Sequence, residues 1–365
     1  MAQEKVLVVS DERMLNHRPN ADEPFLPGRL DRRVREILGG LAVKWHYPEH
    51  PGRLSAITQH LEANPVPGVA FCEGRAASMD ELARVHTRSY LREIDRLRDS
   101  NAWLDVDTTA VSPGSVEAAE VAAGSAIRAV EAVITDEARY AFALCRPPGH
   151  HAESVRARGF CLFNNMAVAA AHAQEAFGCE RVLIVDWDAH HGNGTQEIFW
   201  ASPSVMLVDI HRAAPFYPGS GHLVDIGAGL GEGYTVNVPL PGEVGDLGML
   251  RAFREVLVPA AEWFQPDLIL VSAGFDPHRL DLCMNLTHDG FRNMTRVIQE
   301  LAERHCGGRA VFALEGGYQL DALANGVRVV LETLTGSEVP ELVEPGYVEV
   351  DEASHFHRGA FMPDS

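Results

Sequence analysis

The residues Asp186-Trp187-Asp188-Ala189-His190-His191-Gly192-Asn193-Gly194 follow directly on the apolar run Val182-Leu183-Ile184-Val185. Carboxylates and imidazoles at the end of a buried strand carry a desolvation cost that is usually recovered only by a metal or a catalytic network. Side chains two apart on a strand share a face, so Asp186, Asp188 and, if extension continues, His190 can point the same way. Aspartate oxygen and histidine nitrogen are both good zinc ligands.

Positioning such a cluster requires a scaffold, and the chain alternates short apolar runs with amphipathic segments, the pattern of parallel strands joined by helical crossovers. Strands are expected at 5–10, 140–145, 181–187, 205–210, 234–238, 267–273 and 309–314, and helices at 116–134, 164–177, 247–263, 289–305 and 321–334. This reads as one doubly wound α/β domain over residues 1–340, with a Pro-punctuated surface excursion at 14–51 and a tail at 341–365 that has no usable pattern. Polar motifs fall after five of the strands: Arg146 to His151, the Asp/His cluster, His211 to Gly219, Ala273 to Asp276 and then Asp281, and Glu315 to Tyr318. Taken singly each is weak, since a His-His pair is often structural and Asp281 reads as a solvated loop acid. Ligands bind beyond the carboxyl ends of strands in open parallel sheets, so the five together point to one site.

Composition narrows the class. The 365 residues are 46 % apolar and 22 % charged, enough for a large core. A formal charge of −20 argues against a nucleic-acid partner, although acidity is also an ordinary solubility state. The six cysteines (Cys72, Cys145, Cys161, Cys179, Cys283, Cys306) form no Cys-x-x-Cys pair, which fits reduced thiols in a cytosol. Met1 to Val9 is too short and acidic for a signal peptide, and no run reaches membrane-span length, so a cytoplasmic protein without a membrane partner is expected.

Arg146-Pro-Pro-Gly-His150-His151, Gly159-Phe160-Cys161, Asp186-x-Asp188-x-His190-His191-Gly-Asn193-Gly-Thr195-Gln196, Ser272-Ala-Gly-Phe-Asp276 and Glu315-Gly-Gly-Tyr318 together resemble the histone deacetylase and acetylpolyamine amidohydrolase superfamily. The likeness spans 46–335 and includes Pro48 to Arg53 and Val85-His86-Thr87. It implies an arginase-deacetylase fold with one catalytic zinc, held on carry-over by Asp188, His190 and Asp281. It also implies His151 as general base and later acid, His150 as its electrostatic partner, and Tyr318 as donor to the developing oxyanion. Asp186 would fix the tautomer of His150, and Asn193 that of His151. Phe160 and Tyr217 resemble the aromatic channel walls, and Gly149 and Gly316 the floor of the acyl pocket. Arg53 is expected at its deep end, and a structural potassium ion near Asp186.

Three departures qualify the likeness. The segment from Asp281 to Leu286 is about two residues shorter than the family pattern, Asp209 stands where relatives have serine, and the early excursion is longer, able to cover the channel mouth or make a dimer contact. Asp105 and Asp107 are alternatives for the rim aspartate. The expected activity is removal of acetyl or a short acyl group from an N-acetylated amine. Leu286, apolar where a glutamate gate would favour polyamines, tips the choice toward acetyl-lysine over acetylpolyamine. An arginase-like ureohydrolase lacks its bridging motif here, and an inactive acyl-binding module is disfavoured by the complete set of His150, His151 and Tyr318.

Overall fold

A computed structural model describes residues 6–19, 47–105, 108–281, 284–342 and 350–361. Most of the expected excursion at 14–51, together with Asp107, Leu282 and Cys283, lies outside the described residues. In chain order the strands are β1 (Val6–Ser10), β2 (Val69–Glu73), β3 (Ala102–Trp103), β4 (Ala110–Val111), β5 (Tyr140–Ala143), β6 (Val182–Asp186), β7 (Val205–Arg212), β8 (Thr235–Leu240), β9 (Leu268–Ala273) and β10 (Ala310–Leu314). β3 and β4 form a small antiparallel hairpin, and the other eight make one parallel sheet in the order β2-β1-β5-β10-β9-β6-β7-β8. Central strands such as Val182–Asp186 and Leu268–Ala273 are buried along their whole length, as unbroken apolar runs covered by helices on both faces require. This is the architecture expected of the arginase-deacetylase resemblance, a parallel sheet with helices on both faces.

All seven expected strands are present, and the order explains why their loops meet: β5, β10, β9, β6 and β7 are successive neighbours. Their carboxyl ends therefore form one continuous edge. β2 was not expected; it is an edge strand of mixed exposure, so its sequence lacks the continuous apolar signal of the central strands. The helix expected at 247–263 is divided into Asp246–Ala252 and Val258–Phe264 by a π-helical turn at Phe253–Leu257, with a proline in the first turn of the second piece. Proline has no N–H to give, so the hydrogen-bond ladder shifts there. Residues beyond 350, which carried no readable pattern, include a helix at Asp351–Phe361. Val350 and Ala353 are buried in the main core, and His357 Nε2 lies 3.0 Å from Asn237 O.

Candidate active site

Beyond β6 and β9 the Oδ atoms of Asp188 and Asp276 and a ring nitrogen of His190 face one another, all within 4.8 Å. Among the described residues no other three His, Cys, Asp or Glu side chains converge in this way. His190 Nδ1 stands 2.9 Å from Asp188 Oδ1 and 3.1 Å from Asp276 Oδ2. One ring nitrogen cannot serve two carboxylates well as a donor, and Asp276 Oδ2 is buried without a hydrogen-bond partner. The remaining oxygens are fixed by backbone: Gly316 N donates to Asp188 Oδ2 at 2.8 Å, and Ala189 N to Asp276 Oδ1 at 3.0 Å. Burial works against charge on His190, yet the two carboxylates carry its pKa up to about 9. A place that strongly favours positive charge at Nδ1, with two anionic oxygens and one nitrogen converging, has the donor set of a divalent metal site.

This arrangement corrects the third ligand. Asp281 is not in the cluster: its Oδ2 accepts from Tyr318 N at 2.5 Å and Gln319 N at 2.7 Å. Burial and the neighbouring Asp276 push its carboxyl up to about 6 against the pull of those two donors. The reason is one of reach. Asp276 is three residues beyond the end of β9, beside the strand that presents Asp188, whereas Asp281 is turned toward the loop after β10.

Two histidines face the same edge from the loop after β5, with ring centroids 4.0 Å apart. His150 Nδ1 lies 2.9 Å from Asp186 Oδ2, and His151 Nδ1 lies 2.8 Å from Asn193 Oδ1. Their environments drive them apart. For His150 burial is outweighed by the charges of Asp186 and Asp188, and its pKa rises well above the ordinary value. For His151 burial is reinforced by His150 and His190, and its pKa falls well below. A cationic imidazole beside a neutral one is the division that an electrostatic partner and a general base need.

The channel residues are placed unequally. Phe160 is held with φ +70°, an unusual conformation for a bulky residue, and its ring lies 5.9 Å from that of Tyr318. Tyr217 meets His151 edge-on at 5.2 Å, and Phe216, not singled out from the sequence, stacks on His190 at 4.6 Å. Leu286 is fully buried in the hydrophobic core, its N donating to Pro277 O at 3.1 Å, so it does not line the channel. The gate argument drawn from it falls with it. Asp105 turns back on its own loop, accepting from Thr108 N and Thr109 N, both at 2.7 Å. Gly316 abuts the carboxylates of Asp276 and Asp188, where any β-carbon would collide with their oxygens. That requirement is tighter than the acyl-pocket floor expected of it; Gly149 is likewise pressed against the backbone of Asn165.

A histone deacetylase domain model matches residues 47–334. The chain belongs to the histone deacetylase family. It is 37 % identical to histone deacetylase 14, chloroplastic, of Arabidopsis thaliana, over 84 % of this chain and 77 % of that protein. It is 38 % identical to a probable deacetylase of Archaeoglobus fulgidus (82 % and 85 % covered) and 39 % identical to a histone deacetylase-like amidohydrolase of Pseudomonas aeruginosa (78 % and 73 %). The crystal structure of the HDA15 HD domain superposes with a TM-score of 0.85 at 35 % identity, covering 99 % of this chain and 96 % of that one. No helix of the described residues is long and apolar enough to cross a membrane.

Beneath the site, this histone deacetylase family member carries a buried ionic layer whose pairings the sequence did not show. Glu315 Oε2 accepts from Gly149 N at 2.6 Å and His150 N at 3.1 Å, tying the loop after β10 to the histidine loop. Its position directly after an apolar strand, like that of Asp186, was the available signal. Arg53, expected at the deep end of the pocket, donates to Gly317 O at 2.6 Å and to Glu315 O, with its guanidinium 5.0 Å from the Tyr318 ring centroid. Glu49 holds it at 3.0 Å, lies 2.9 Å from Arg146 Nε and 3.3 Å from His17 Nε2, and is fully buried.

Although burial alone would raise it, the pKa of Glu49 is held far below the usual carboxylate range by Arg146, His17 and Arg53. A depressed carboxylate contributes stability that is fully present above its ordinary pKa of 4.5 and is lost as pH falls toward the folded value. Glu49→Gln is therefore expected to cost about 3–5 kcal/mol near neutrality, the usual loss when one partner leaves a buried pair. The gap in melting temperature between wild type and variant should narrow below pH 4.5. Parallel curves down to acid unfolding would contradict this account.

Proposed function

We propose that this chain is a zinc-dependent amidohydrolase that removes the acetyl group from acetyl-lysine side chains. The observation that carries the reading is the convergence of Asp188, His190 and Asp276 at the strand edge that the adjacent rings of His150 and His151 also face. Asp188, His190 and Asp276 would hold the metal, which when bound polarises the amide carbonyl and lowers the pKa of water.

The protein's own groups then do the rest. His151 Nε2 takes a proton from water as its oxygen bonds to the carbonyl carbon. The Tyr318 hydroxyl, whose pKa burial holds well above the ordinary value, stays protonated and donates to the oxyanion. As the C–N bond breaks, His151 returns the proton to the leaving amine, giving acetate and a free amine. The positive charge of His150 favours the negative charge that develops beside it. A potassium ion beside Asp186 belongs to the same proposal, since Asp186 pairs in register with Asp209 and Ser272, and Ser272 Oγ is buried without a partner.

Acetyl-lysine is preferred over acetylated polyamines on charge at the channel wall. Arg158 stands over the Tyr217 ring at 6.0 Å, and Arg156 and Arg158 together outnumber their shared partner Glu153. A free cationic chain end would meet this positive charge, and the name histone deacetylase among the relatives fits a protein side chain as substrate.

Metal content and amidase rate measured before chelation, after it and after zinc return test the reaction. One metal per chain and reversible loss of activity are expected. Comparing kcat/KM for an acetyl-lysine peptide and acetylputrescine tests the substrate. A tenfold advantage for the polyamine, about 1.4 kcal/mol, would overturn that part.

A further inference from the structure

We propose that Glu153 is a positioning residue that sets the tautomer of His151 by orienting the Asn193 amide; this rests on the proposed role of His151 as the base. Asn193 Oδ1 faces His151 Nδ1 at 2.8 Å, while its Nδ2 donates to Glu153 Oε1 at 2.8 Å. The other contact of Nδ2, with His151 O, is long at 3.4 Å. An amide has one donating and one accepting end, whereas an ionised carboxylate only accepts. Glu153 therefore selects the rotation of Asn193 in which oxygen faces the imidazole.

An acceptor at Nδ1 requires that nitrogen to carry the hydrogen, which leaves the lone pair of neutral His151 on Nε2, where proton abstraction needs it. With the amide turned over, its NH2 would face Nδ1 and favour the Nε2–H tautomer, which has no lone pair to offer. An aspartate at position 193 would need no such selection, because both of its oxygens accept. Glu153 is itself fixed by Arg158 Nη1 at 3.0 Å, and its backbone N donates to Arg156 O at 2.9 Å. The turn that follows the two histidines thus returns to aim one of them.

The test uses zinc-loaded full-length protein. Glu153→Ala is expected to lower kcat by about ten- to a hundredfold with KM and metal content unchanged, the usual range for a partner that orients a site group. Glu153→Gln keeps an accepting oxygen and should recover most of that loss. In an Asn193→Asp background Glu153→Ala should cost less than about twofold, because there is no amide left to orient. Nitrogen-15 spectra of His151 should show Nδ1–H in the wild type and a growing share of Nε2–H in Glu153→Ala. Wild-type kcat in Glu153→Ala, equal losses in both backgrounds, or an unchanged tautomer would each overturn the proposal. If the wild type turns over no acetylated substrate, the proposed function fails, and the tautomer measurement decides the role of Glu153 by itself.

Discussion

Asp276→Ala is expected to abolish stoichiometric zinc binding and to lower amidase turnover by more than about two powers of ten, because two protein ligands do not complete a catalytic zinc site. Asp281→Asn is expected to retain one metal per chain. The contrast follows from where the oxygens point. Asp276 Oδ2 is buried without a hydrogen-bond partner and lies 3.1 Å from His190 Nδ1, while Asp281 Oδ2 is taken by two backbone N–H groups. Asparagine at 281 keeps an oxygen that can accept from Tyr318 N, so turnover should fall modestly, within about tenfold. Metal analysis of both variants after removal of excess zinc decides the matter. Full metal content in Asp276→Ala together with loss in Asp281→Asn would restore Asp281 as the ligand.

That exchange of aspartates shows what the sequence could and could not reveal. Both acids follow β9, and linear order says only that each belongs to the edge where the loops meet. Choosing between them requires knowing that the chain turns after Asp276, with His278 N donating to Phe275 O at 3.2 Å, and so carries Asp281 toward Tyr318. The proximity of Asp276 to its strand end, matching that of Asp186 and Asp188 to β6, was the better guide.

Leu286 failed for a related reason. Its apolar side chain was compatible with a channel rim and with the core, and only packing separates them. By contrast, His150, His151, Asp186, Asp188, His190, Asn193 and Tyr318 were legible because apolar strands ending in polar residues mark both the fold and the site at once. Glu49, Arg53 and Arg146 lie in quoted motifs, and Glu49 and Arg53 are only four apart, but their joining in one buried layer was not legible, since Glu49 meets Arg146 across about a hundred residues and Arg53 meets the loop after β10 across still more.

The two histidines supply the most demanding test of the catalytic assignment, because removing either should hurt the protein in a different way. His151→Ala removes the group proposed to take the proton, and turnover should fall by about two to four powers of ten. Its ring makes one hydrogen bond, to the Asn193 side chain, so zinc should be retained and stability little changed.

His150→Ala leaves Asp186 buried opposite a missing cation, 2.9 Å from where the imidazole had been. Asp188, 3.9 Å from His150 Nε2, also loses a compensating charge. Stripping one partner from a buried pair costs about 3–5 kcal/mol, so this variant should melt earlier as well as turn over more slowly. The proton-transfer group is still present in it, so its kcat should exceed that of His151→Ala. Turnover number, metal content and melting temperature, measured on both zinc-loaded variants, separate the roles. A His151→Ala enzyme faster than His150→Ala, with metal present in both, would exchange base and partner and would require the neutral imidazole to be sought at position 150.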